Sequence, residues 1–81
     1  MPLVMMTLED LLSSKRRRRE LPPPAVRRLL RERRDLTQLD IARILGVDRV
    51  SVSRYEAGTR EPRGEVLERY LEVLDRLAQD D

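Results

Sequence analysis

The sequence predicts an all-α fold: a small helical bundle with an extra helix at its N-terminal end. Capping residues stand at Thr7, Thr37 and Asp48, each just ahead of a stretch with helical character. Helix-breaking residues gather mainly in PPP at 22–24 and GTREPRG at 58–64, and apolar residues between and beyond them recur at helical spacing. With 81 residues and no internal repeat, the chain is read as one domain. A chain of this size buries only about 60–65% of its unfolded surface.

Each element follows from local chemistry. Thr7 with Asp10 three residues later is a capping pair, so a first helix runs from about Leu8 into the basic run KRRRR at 15–19. Pro22 to Pro24 end it, since a residue before proline avoids helical angles, and Pro24 suits the first turn of a new helix. That second helix, from Ala25 to about Arg34, carries Val26, Leu29 and Leu30 as one narrow apolar stripe. Thr37 with Asp40 repeats the capping pair and opens a helix over about Gln38 to Leu45, which Gly46 closes in a left-handed conformation. Asp48 caps a fourth helix, about Arg49 to Ala57, closed by Gly58. The last, about Gly64 to Gln79, sets Val66, Leu67, Tyr70, Leu71, Val73, Leu74, Leu77 and Ala78 in a wide apolar stripe, read either as pure core or as partly a dimer interface.

Composition excludes several functions. Cysteine and histidine are absent, which removes disulfides, a thiol nucleophile, an imidazole base and the usual zinc ligands. No catalysis, metal or cofactor is expected. Glu65, Glu68, Glu72 and Asp75 lie along one helical face and read as solvated charge. The opening MPLVMM is too short for a membrane span and lacks a preceding basic residue, so a cytoplasmic location is expected. The net charge of +2 hides a polarity, because residues 15–36 carry ten basic and three acidic side chains, a net +7, whereas residues 65–81 carry a net −4. Such a dipole orients a molecule toward a polyanion.

Two short helices joined by a tight glycine-containing turn outline a helix-turn-helix. QLDIARILGVDRVSVSRYEA, residues 38–57, resembles the motif of the phage-repressor and Cro (XRE-type) family of DNA-binding domains. Ala42 stands where a small side chain lets the helices cross, Gly46 makes the turn, and Ile41, Leu45, Val47, Val52 and Tyr55 fall at buried positions of the family. The resemblance extends over residues 24–74, and it implies a lambda-repressor-like core in residues 22–81, with residues 1–21 as an N-terminal helix and basic run. Arg27 departs from the family, which commonly keeps that position apolar, and Val50 replaces a residue that is often polar. The family's usual short fifth helix is missing from DRLAQDD, while TLEDLL at 7–12 resembles it. The N-terminal helix is therefore expected to take its place, packing Leu8, Leu11 and Leu12 on the last helix.

The resemblance also implies a division of labour. Arg49, Val50, Ser53 and Arg54 face the bases of the major groove, where arginine can bond guanine and valine can touch a thymine methyl. Gln38, Thr37, Ser51, Arg60 and Arg63 contact phosphate, joined by Arg17 and Arg18 of the basic run. Arg31 and Glu56 form a structural ion pair. The expected partner is double-stranded DNA, bound by a homodimer that acts as a transcriptional regulator, a repressor. One rival is an antitoxin whose N-terminal or C-terminal helix holds a toxin. The other is an interaction adaptor without DNA binding, against which Arg49, Arg54 and the basic segment argue.

Overall fold

A computed structural model describes residues 7–79. The reading of MPLVMM lies outside them. Every regular element among the described residues is an α-helix: α1 (Leu8–Arg19), α2 (Pro24–Arg33), α3 (Gln38–Leu45), α4 (Arg49–Ala57) and α5 (Gly64–Ala78). None is long and apolar enough to cross a membrane.

Local signals set the ends. Thr7 and Thr37 each form a reciprocal capping box with the aspartate three residues on, and Asp48 accepts the Ser51 amide at 2.7 Å. Gly46 and Gly58 close α3 and α4 with φ of 73° and 76°. At Gly58 a Cβ would also lie 3.1 Å from Pro24 Cγ, so the end of α4 sits directly on the start of α2.

The core forms where α3, α4 and α5 meet, from Ile41, Ala42, Leu45, Val52, Tyr55, Leu67, Tyr70 and Leu74, with Leu21 entering from the α1–α2 linker. Each fully buried aliphatic side chain there contributes about 1.5–3 kcal/mol. The wide stripe of α5 serves this core with both flanks, since Val66, Leu71, Val73 and Leu77 pack partly buried against it.

Two orientations differ from the sequence expectation. In α2 the stripe Val26–Leu29–Leu30 faces inward only at Leu30, which packs half-buried against the core: Leu29 is 63% exposed and Val26 is exposed too, while Arg27 is 4% exposed. Satisfied polar groups explain the rotation, because Arg27 donates from Nε to the Pro22 carbonyl at 2.8 Å and from Nη1 to the Tyr55 carbonyl at 3.0 Å, with Glu61 at 3.7 Å from Nη2. Its aliphatic stem fills the apolar position and its head finds acceptors.

In α1, Leu8 and Leu12 do not pack on α5, and Leu11 only borders the cleft between the two helices, together with Leu67. Leu8, Leu11 and Leu12 are 72%, 39% and 53% exposed. Arg17, nine residues after Leu8, lies on the opposite side of the helix at about 100° per residue, and it holds Glu68 of α5 through Nε at 3.0 Å and through Nη2. Glu68 is therefore not simply solvated, whereas Glu65, 3.7 Å from Arg69, has a side chain that is 91% exposed. At the other end of α5, Arg33 and Arg34 donate to the carbonyls of Leu77 and Gln79, a use of α2 that the apolar pattern did not suggest.

Candidate nucleic-acid interface

The motif rests on two helix N-termini. Thr37 satisfies the Asp40 amide, and the first-turn amides of Gln38 and Leu39 lie ahead of it at the positive end of α3. At α4 that end already carries an anion, the Asp48 carboxylate. Backbone and side-chain hydrogen bonding from Ser51 holds Asp48 below the usual carboxylate range, as the Thr37 bonds do for Asp40.

Turning about 100° per residue, α4 buries Val52, Tyr55 and Glu56 on one arc. The opposite arc presents Val50 and Arg54 exposed and Ser53 half-buried, with exposed Arg49 at its edge. Ala57 completes this arc and does not stand out in the sequence; a methyl group offers no polar signal, and only its position shows it.

Behind the arc runs a chain of polar contacts. Arg31 grips Glu56 with two bonds, Nε to Oε2 at 2.7 Å and Nη2 to Oε1 at 2.9 Å, and donates from Nη1 to the Leu36 carbonyl at 2.8 Å. That pairing raises the Arg31 pKa. Glu56 Oε1 also accepts from Gln38 Nε2 at 3.1 Å, and Gln38 Oε1 accepts from Arg49 Nη1 at 3.2 Å. Gln38 thus links the buried pair to the first residue of α4, and a phosphate would share its side-chain amide with Glu56. Arg69 donates to the Leu45 carbonyl at 3.2 Å and stabilises the end of α3. These roles of Gln38, Arg27 and Arg69 are invisible in the sequence because each partner is remote in the chain.

Ser51, Arg60 and Arg63 come together around one cleft with Val47, Thr59 and Glu61. Arg17 and Arg18 border a separate cleft, which Arg63 also lines. Both are half-buried and line the cleft between α1 and α5 with Glu65 and Glu68, and the Arg17 guanidinium is bonded to Glu68. A phosphate would have to displace that carboxylate, whereas Lys15, Arg16 and Arg19 are exposed. No group of acidic side chains among the described residues is arranged to hold a metal ion.

Comparison with known proteins bears on the same segment. The profile of the family described as helix-turn-helix matches residues 28–78. The chain is also similar to Antitoxin PezA of Streptococcus pneumoniae serotype 4 (strain ATCC BAA-334 / TIGR4), 51% identical over 39 residues, which are 48% of this chain and 25% of that protein. It spans about a quarter of that relative's length. No solved structure matches significantly.

Proposed function

Because the chain belongs to the helix-turn-helix family, we propose that it is a sequence-specific double-stranded DNA-binding transcriptional regulator, a repressor, that reads the major groove with α4. The outward arc of α4 carries this reading. Arg49 and Arg54 offer bidentate donors to guanine, Val50 offers an apolar contact to a thymine methyl, and Ser53 adds a short polar reach. The amides opening α3, with the Thr37 hydroxyl and Gln38, meet one phosphate. Ser51, Arg60 and Arg63 meet another, at their shared cleft. One such unit reads few base pairs, so the active species is a homodimer on half-sites about 34 Å apart.

Arg54→Ala is expected to lose about 1–3 kcal/mol of discrimination at one base pair. Gln38→Ala is expected to weaken binding to every sequence and, by releasing Arg49, also to blur selectivity at that arginine's base. Selection of bound sequences from a random DNA pool at fixed salt tests both. Unchanged binding and consensus in the two variants would overturn the groove assignment.

A second reading, an antitoxin that also holds a protein toxin, is favoured by the likeness to Antitoxin PezA. Co-purification of the chain with a partner expressed from a neighbouring gene is the expected result under that reading, and recovery of the chain alone would count against it.

A further inference from the structure

Turning its polar side to α5 leaves α1 with an apolar ridge that the described residues cover only in part, at Leu11 beside the cleft between the two helices. Leu8, Leu11 and Leu12 share one face, Lys15 and Arg19 continue it, and Glu9 and Arg16 fall together on one flank, seven residues apart. The first turn is acidic, Glu9 and Asp10, and the last turn is wholly basic, Arg16 to Arg19. Charge therefore changes sign along the helix while the leucines occupy the half nearer its acidic end.

We propose that this ridge is a homodimer interface, on which α1 of a second copy packs antiparallel about a two-fold axis near Leu12. The antiparallel order follows from the charges. It sets Leu11 and Leu12 of both copies together, lays Leu8 along the aliphatic stems of Lys15 and Arg19 of the second copy, and brings Glu9 opposite Lys15 and Arg16 of that copy, twice by symmetry. A parallel pair would instead align acid with acid and base with base. An anionic membrane surface fits less well, since Glu9 and Asp10 sit at the leucine end of the ridge. The contact is smaller than a stable interface of about 1,600 Å². Two half-sites on one DNA strengthen it by raising the effective concentration of the second copy. This interface deepens the homodimer part of the proposed function, and it is measured without DNA.

The chain has no cysteine, so single cysteines report proximity without background. In the full chain, oxidised Leu12→Cys is expected to form a covalent dimer and Leu8→Cys is not, because the four-residue offset separates the latter pair by a further ~12 Å along the axis. Adding Glu9→Arg to Leu12→Cys lowers the cross-linking rate about tenfold, as attraction becomes repulsion at two places, and adding Arg16→Glu as well restores it. Equal cross-linking at both positions, or none at Leu12, overturns the interface. Binding of the reduced Leu12→Cys chain to a two-part DNA site separates the two ideas: DNA binding without cross-linking sinks the interface alone, and cross-linking without DNA binding sinks the DNA reading alone.

Discussion

Glu56 ties the scaffold to the reading helix through its two oxygens, which take Arg31 on one side and Gln38 on the other. Its side chain is 4% exposed and that of Arg31 11%, so removing the carboxylate leaves a nearly buried guanidinium without its charge partner. Glu56→Ala is expected to cost about 3–5 kcal/mol in urea unfolding, and Arg31→Met with Glu56→Leu to recover most of it, because a well-packed apolar pair replaces a buried ion pair at little cost. The double variant also frees Gln38 from its acceptor, so DNA selectivity falls even where stability returns. Tyr70 behaves in the opposite way. Its hydroxyl is buried without a hydrogen-bond partner among the described residues, and burial, aided by the nearby Glu56 charge, pushes its pKa well up. Tyr70→Phe is expected to stabilise the fold by about 1 kcal/mol, read as a higher urea midpoint at unchanged slope.

Among the elements, α3 and α4 share one dependence on pH. Asp40 and Asp48 titrate lower in the folded chain than in the unfolded one, so their contribution is fully present above the ordinary aspartate range and is lost as pH falls through their lowered values. Asp48→Asn retains an acceptor for the Ser51 amide but removes the titration. Its melting temperature is expected to change less between neutral and acid pH than that of the parent. The same caps explain what was legible in the sequence: each is a three-residue signal, and α3 and α4 begin and end where those signals stand. Glycine, small and apolar positions likewise revealed the motif. The rotation of α2 and the face of α1 were not legible, because Arg27 with the Tyr55 carbonyl and Arg17 with Glu68 are 28 and 51 residues apart. No local pattern announces that an arginine will take an apolar position or that a helix will dock by its polar side. At the site the outward arc followed from periodicity, whereas the link through Gln38 needed three dimensions.

Across the whole molecule, the basic run divides by direction: Arg17 and Arg18 face the acidic side of α5, and Lys15, Arg16 and Arg19 face solvent. Replacing the three exposed side chains by glutamine is expected to lower DNA affinity and to reduce the slope of log affinity against log salt by about 0.9 for each phosphate that is no longer neutralised. The preferred sequence should stay the same. Arg27 has a different reach, since one guanidinium joins the linker at Pro22, the end of α4 at Tyr55 and the following loop at Glu61. Its bonds beyond the linker close long stretches of chain and require α2 to have met α4, and they are expected to form late on the folding route. Arg27→Met should therefore leave the refolding rate nearly unchanged and accelerate unfolding, displacing one arm of the chevron. The same side chain that fixes how α2 is turned would then govern how long a folded molecule lasts.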